Sequence, residues 1–392
     1  MNLLSNLYHY FLDKTRKFQS KVDKNFQFNK NEENFNKNPK DLKYKCDIIN
    51  CENVPYGYSK ENFDIYTSNK DKKQYIVLAN EEKSTLNIYS LSTMQKITVL
   101  RGNKKEIRVV KYFINKNNNN NEYFITKGRC IENHNFGVVL VWDISKNYKI
   151  IFRVEPKHYS GGSIPYLIFP HYMEDFLMVT SSGNKSSYDI EYTEIYSIKK
   201  QVLLQKIEDS NELDINFLLS WYNKNNNNYY IIQFHQHGFD IHNVLKKEVY
   251  YEQGRYISNH KEEEREFYNG FIYTIDNADD YLCFFTEAHY LNFFNLNKKK
   301  YIKSLKIKKH IDSSTFWGCC CQMIQWNKYI IFYESQRKFI IIFDLENLNF
   351  ISKIDIGINK NKKGFNCFKK IYHKTYGETL IISFNKSIEL WN

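Results

Sequence analysis

The sequence predicts an all-β fold: a closed ring of seven similar units, each a small antiparallel sheet of four short strands. Three observations predict it. A short pattern, apolar–x–apolar–aromatic–(Asp/Asn/Ser)–apolar, recurs seven times along the 392-residue chain. Other strand-like runs precede and follow the occurrences. The composition sets 32 Tyr and 29 Phe against 14 Gly and 5 Pro, which favours strands and leaves the turns to Asn, Asp and Ser. Part of the richness in Asn, Lys, Ile and Tyr is read as codon usage. Four strands per unit, repeated at a period near 50 residues, is the pattern of a seven-bladed β-propeller.

The first element, MNLLSNLYHYFLDKTRKFQ, places Leu3, Leu4, Leu7, Tyr8 and Phe11 on one helical face. This predicts a short amphipathic helix. Asn6, His9 and Asp13 interrupt it, so it is no secretory core, and Asp13 with few Arg and Ser argues against mitochondrial import. An Asn/Lys-rich linker follows. The expected organisation is therefore helix and linker over residues 1–43 and propeller over 44–392.

The run KYKCDIINCENV at 43–54 reads as a strand with no unit of its own. Seven pattern hits follow: LNIYSL (86–91), VLVWDI (139–144), TEIYSI (193–198), FDIHNV (239–244), LNFFNL (291–296), IIIFDL (340–345) and IELWN (388–392). Their aromatic positions are Tyr89, Trp142, Tyr196, His242, Phe294, Phe343 and Trp391, at intervals of 46 to 54 residues. A second strand-like run precedes each, from QYIVLAN (74–80) to TLIISFN (379–385). Third and fourth runs, such as IRVVKYFIN and QKITVLRG, complete the units. The Asn tracts at 115–122 and 223–228 read as expansions of exposed hairpin loops. The last unit lacks a fourth strand, and an open ring would expose two sheet edges. The strand at 43–54 is therefore expected beside Ser387–Trp391.

Trp142-Asp143, Trp391-Asn392, Phe343-Asp344 and VLRGN at 99–103 carry a resemblance to the WD40-repeat family, as a divergent member. In VLRGN the family's Gly-His has become Gly-Asn. His242-Asn243, Phe294-Asn295, Tyr89-Ser90 and Tyr196-Ser197 depart from the family's pair, so most of its Trp–Ser/Thr–His–Asp network is missing. The resemblance implies that Tyr89, Trp142, Asp143, Tyr196, His242, Phe294, Phe343, Asp344 and Trp391 hold structural positions. It also implies a partner-binding face built from loops, with Arg129, His158, Tyr159, His237, His289, Trp317 and Arg337 as the contact residues.

Motifs for chemistry are absent from the sequence. There is no phosphate-cradling G-x-x-x-x-G-K-[ST], no G-x-S-x-G and no H-E-x-x-H. Eight cysteines form no pair of C-x-x-C motifs, so they read as reduced, buried thiols inside the cell. His235, His237 and His242 read as ordinary strand and turn residues rather than metal ligands. No cofactor and no catalytic residue is expected, and the chain reads as a non-enzyme. No apolar run reaches the roughly 18 residues of a membrane span.

The net charge of +12 favours acidic partners, but no nucleic-acid reading module accompanies it. Lysines concentrate at 297–310, the expected outer strand of blade five, and at 359–370; KEEERE at 261–266 offsets them in part. The expected function is a non-catalytic, cytoplasmic scaffold for protein partners. The alternative is an adaptor on anionic lipid or acidic surfaces, through the lysine-rich edge of blade five and the N-terminal helix.

Overall fold

The computed structural model describes Pro39 and residues 42–50, 62–80, 84–101, 105–115, 121–130, 136–154, 166–169, 176–185, 188–208, 217–235, 238–243, 246, 248–252, 267–275, 279–286, 290–307, 323–334, 339–356, 365–373, 375–384 and 387–392. The predicted N-terminal helix lies outside them. Strand β1 (Tyr44–Asn50) comes first. The first sheet is β2 (Phe63–Thr67), β3 (Gln74–Asn80), β4 (Thr85–Ser90) and β5 (Lys96–Arg101). The second is β6 (Lys105–Asn115), β7 (Asn121–Cys130), β8 (Phe136–Asp143) and β9 (Lys149–Val154). The third is β10 (Tyr166–Phe169), β11 (Phe176–Lys185), β12 (Tyr188–Ser197) and β13 (Val202–Glu208).

The fourth sheet is β14 (Phe217–Asn223), β15 (Asn228–His235), β16 (Gly238–Asn243) and β17 (Glu248–Glu252). The fifth is β18 (Phe267–Ile275), β19 (Asp279–Thr286), β20 (Tyr290–Asn295) and β21 (Lys300–Lys306). The sixth is β22 (Met323–Trp326), β23 (Tyr329–Glu334), β24 (Phe339–Asp344) and β25 (Asn349–Asp355). The last strands are β26 (Phe365–His373), β27 (Gly377–Phe384) and β28 (Ser387–Trp391). All pairings are antiparallel, and the described strands form seven four-stranded sheets.

These sheets are blades arranged in a ring. Innermost strands of successive sheets pack together: β2 on β6, β10 on β14, β14 on β18, β18 on β22, β22 on β26, and β26 back on β2. The second and third sheets meet through Ile198, clustered with Phe113, Val139 and Phe152, and through Phe152 edge-on to Tyr196 at 6.0 Å. Each blade is covered on both faces, so its middle strands are apolar without alternation. Ile231 and Ile232, Leu282 and Cys283, Ile330 and Ile331, and Leu380 and Ile381 are all fully buried neighbours.

The ring is closed by β1. It runs antiparallel to β28, with Tyr44 opposite Trp391 and Asp47 opposite Glu389, as expected of the strand at 43–54. Lys43 and Asn392 exchange two backbone hydrogen bonds of 3.0 and 2.9 Å. Tyr44 sits edge-on to Trp391 at 5.9 Å, and Leu42 is buried with Trp391, Phe384 and Ile382. One sheet thus draws strands from both ends of the described chain.

The recurrent aromatic–(Asp/Asn/Ser) pair marks the turn from third to fourth strand. Its polar member accepts a hydrogen bond from the backbone N–H three residues on. Lys146 N donates to Asp143 (3.2 Å), Lys200 N to Ser197 (3.0 Å), Lys246 N to Asn243 (3.0 Å), Lys298 N to Asn295 (2.7 Å) and Asn347 N to Asp344 (3.0 Å). This is the Asx or Ser turn that such side chains favour. Four residues past the polar member the backbone turns left-handed: Met94, Asn147, Gln201, Lys299 and Leu348 have φ between 48° and 57°. A register shift follows at the aromatic residue, as between Val141 and Trp142 or Ile342 and Phe343. The template therefore encodes a capped turn with a bulge, and side-chain capping stands in for glycine.

The tract at 223–228 forms the expected exposed hairpin loop, but as a tight turn of four residues rather than an expansion. Asn225 N donates to Asn223 Oδ1 (2.9 Å), Asn228 N to Asn226 Oδ1 (3.1 Å) and Tyr222 OH to Asn227 Oδ1 (2.9 Å). Asn227 takes φ 53°, which Asn tolerates better than most residues. The middle of the other tract, 116–120, lies outside the described residues.

Two outcomes are expected. Gln201 is exposed and left-handed, a conformation costing an L-residue roughly 1–2 kcal/mol. Gln201→Gly is expected to leave the melting temperature unchanged or raised, and Gln201→Val to lower it, as calorimetry would read. Deleting the chain through residue 50 removes β1 and is expected to abolish the single cooperative melt. An unchanged melt would contradict closure.

Candidate interaction surface

The inner strands carry an aromatic tier that the sequence reading missed. Tyr66, Phe113, Phe169, Trp221, Tyr273 and Trp326 occupy one register position on β2, β6, β10, β14, β18 and β22. Opposite them on the second strands stand Tyr75, Tyr123, Phe176, Tyr230, Tyr281 and Tyr329. Tyr66 stacks on Tyr75 at 5.2 Å, Phe113 on Tyr123 at 5.0 Å, Trp221 on Tyr230 at 4.9 Å and Tyr273 on Tyr281 at 5.3 Å. Such pairs add about 0.5–1.5 kcal/mol each beyond area burial. In the last sheet Ile371 and Thr379 take the same places. Seven of the 32 tyrosines belong to this tier.

One residue earlier on the second strands lies a set of polar clamps between blades. Glu122 accepts from Asn69 N of the first sheet's turn (3.1 Å) and from Tyr112 OH (2.8 Å). Buried Asp280 accepts from Trp221 Nε1 of the fourth sheet and from Thr274 Oγ1, both at 2.8 Å. Glu378 pairs with Lys370 at 2.8 Å and accepts from Asn327 Nδ2 of the sixth sheet at 3.4 Å. Gln74 Nε2 donates to the Tyr372 carbonyl of the last sheet at 2.6 Å. Lys328, at the same position, stays within its own sheet and pairs with Glu346. On the inner strands Asp64 joins three sheets, accepting from Tyr112 N at 2.8 Å and pairing with Lys369 at 3.4 Å.

The WD-type positions divide accordingly. Trp142 is buried and its Nε1 donates to Thr126 Oγ1 at 2.9 Å, a bond of the Trp–Ser/Thr kind. Trp391 donates instead to Glu389 two residues away (2.9 Å). Tyr196 OH donates to Glu194 (2.7 Å). Phe294 and Phe343 are buried in core clusters, Tyr89 packs against another, and His242 sits on β16 at the register shift. Asp143 and Asp344 are buried turn caps, each near a lysine: Lys146 at 3.2 Å and Lys328 at 4.0 Å. Burial pushes the Asp344 carboxyl up, but hydrogen bonds from Asn347 and Glu346 N–H and the Lys328 charge hold it below the usual carboxylate range.

Of the expected partner-contact residues, Arg129 falls on β7 opposite Glu106 and Phe136. His158, Tyr159, His237, His289, Trp317 and Arg337 lie outside the described residues. So do Cys51 and Cys319–Cys321. Cys283 and Cys367 are buried thiols outside any disulfide, and burial pushes the Cys283 thiol well up, leaving it protonated and unreactive near neutrality. No group of three or more His, Cys, Asp or Glu among the described residues is placed to hold a metal ion. No described helix is long and apolar enough to cross a membrane.

The exposed features lie on outer strands. Ile97 and Val99 on β5, Val202 and Leu203 on β13, Val249 on β17 and Ile302 on β21 are more than 40% exposed. A shallow polar cleft of about 370 Å³ lies between the fourth and fifth sheets, lined by Asn226, Asn243, Lys246, Glu248, Tyr250 and Lys299 among others. Lys299 Nζ is held there, 2.8 Å from the Tyr250 carbonyl and 3.8 Å from its ring centre. No protein-family model matches the chain, and no curated protein matches it in sequence.

Two measurements check the clamps. Asp280→Ala leaves the Trp221 and Thr274 donors buried without their acceptor. A loss on the order of 2 kcal/mol is expected, with coupling to Trp221→Phe in a double-mutant cycle by urea unfolding. Simple additivity would contradict the clamp. His373 is buried, stacks on Tyr376 at 4.8 Å and accepts from Thr375 N at 3.1 Å through Nδ1. Burial lowers its pKa from 6.5, so the unfolded chain binds the proton more readily. Its contribution is complete above about pH 6.5 and falls as pH drops toward the folded value. His373→Gln is expected to flatten that part of the stability profile.

Proposed function

We propose that the chain is a divergent, seven-bladed WD-type propeller acting as a non-catalytic scaffold for protein partners inside the cell. Each four-stranded sheet is taken as one blade. The reading rests above all on the clamped ring: interblade hydrogen bonds, the aromatic tier and the closing strand together hold the frame rigid. Loops set on such a frame lose little conformational entropy when a partner binds. The titratable groups at the seams and in the core support this use. Asp280, Glu122 and Asp64 are engaged in joining blades, and Cys283 is enclosed by apolar neighbours, so their chemistry serves the frame.

The alternative, an adaptor on anionic lipid, draws on the same lysine-rich strand β21 together with the amphipathic N-terminal sequence. Affinity capture from native cells tests the scaffold reading. Wild-type protein is compared with a variant carrying Trp317→Ala and Arg337→Glu. A defined set of proteins, recovered with the wild type and lost with the variant, is the expected outcome. Equal recovery from both would reject the loop face, and recovery of no specific protein would reject the scaffold.

A further inference from the structure

We propose that the outer edge of β21 is a docking site for an extended acidic peptide, which adds to the fifth sheet as another strand. The inference deepens the scaffold reading and rests on it, naming a surface and the chemistry of the partner. Among the described strands β21 pairs with β20 alone, and its other edge carries the backbone groups that a further strand would meet.

Its side chains separate it from the other outer strands. Lys300, Lys303 and Lys306 give KYIKSLK three cations and no acid, whereas β13, β17, β25 and β1 each carry at least one acidic residue. Strands β5 and β9 are basic as well, with two cations each. No described carboxylate lies within ion-pair distance of Lys300, Lys303 or Lys306. Lys303 Nζ reaches the Leu348 carbonyl of the next sheet at 3.4 Å, and Lys306 lies 5.5 Å from the centre of the Tyr290 ring. Neither contact supplies a negative charge. Ile302, 45% exposed, lies among them.

This edge therefore offers a backbone ladder, three cations and one apolar contact over about 20 Å of strand. An extended segment of about seven residues, with Asp or Glu near each lysine and an aliphatic side chain near Ile302, is complementary to it. Lysines also protect edges from pairing with other copies of the chain, so the test must separate recruitment from protection.

The probe is a fluorescently labelled heptapeptide, Glu-Thr-Thr-Glu-Val-Thr-Glu, which run antiparallel places Glu opposite Lys306, Lys303 and Lys300 and Val opposite Ile302, followed by anisotropy with the full chain. Controls are the same peptide with alternate backbone nitrogens methylated, and its counterpart with Lys in place of each Glu. The variants are Lys300→Glu/Lys303→Glu/Lys306→Glu and the neutral Lys300→Gln/Lys303→Gln/Lys306→Gln, each first checked for an unchanged melt. The expected result is saturable binding, weakened at least tenfold by charge reversal, by backbone methylation and by raising salt from 50 to 300 mM.

Equal binding of the methylated peptide would overturn strand addition. Absence of binding by the wild type would overturn the site, and self-association of the glutamine variant in that case would assign the lysines to edge protection. Phosphatidylserine vesicles bound through the same lysines, with no peptide binding, would assign the edge to lipid. The substitutions at Trp317 and Arg337 leave β21 unchanged. Failure of the peptide with partner capture intact therefore rejects this inference and spares the scaffold reading.

Discussion

The structure depends on one constraint: a ring of sheets has to close, and the joint is a single antiparallel strand pair. Every other sheet is made from consecutive strands. The sheet holding β28 is completed by β1, more than 300 residues away in sequence. Pairing across that distance carries a large loop-closure cost in the unfolded chain, offset when all blades pack at once. The joint accordingly combines backbone bonds between Lys43 and Asn392, the Tyr44–Trp391 contact and buried Leu42.

With the ring closed, each blade is wedged between two others, and two devices hold neighbours in register. The aromatic tier stacks rings between the first and second strands of successive sheets. The clamps of Gln74, Glu122, Asp280 and Glu378 carry directional bonds across the seams. The Trp221–Asp280 bond is buried, and in such a low-dielectric setting a bond is costly to break singly. Within the second sheet Trp142 Nε1 donates to Thr126 Oγ1, whereas the clamps run from one sheet to the next.

Strand order, the repeat and the closing strand were legible because they rest on local, periodic features. A capped turn needs a short polar residue in a set place, and a bulge follows it, so the aromatic–polar pair recurs at a near-constant interval. The inner tier escaped notice because hairpin length varies. Only two residues separate Trp326 from Tyr329, whereas nine separate Phe113 from Tyr123. No fixed spacing marks their pairing. The clamps were hidden for another reason: Asp280 and Glu122 resemble hairpin-tip acids until the neighbouring blade is in place. Asp279-Asp280 illustrates it, with Asp279 on the surface near Lys298 and Asp280 buried under Trp221. The loop residues chosen as a contact face depend on backbone paths that strand periodicity does not encode.

Native-state hydrogen exchange on the intact chain tests the closed ring most directly. If β1 closes it, the amides of Ile388 and Leu390 on β28 exchange only through global unfolding. Their free energy then matches that of Ile231 and Ile232 on β15, in the fourth sheet and away from the joint. Rapid exchange at β28 while β15 stays protected would show an open ring that frays at its joint, and would contradict the account.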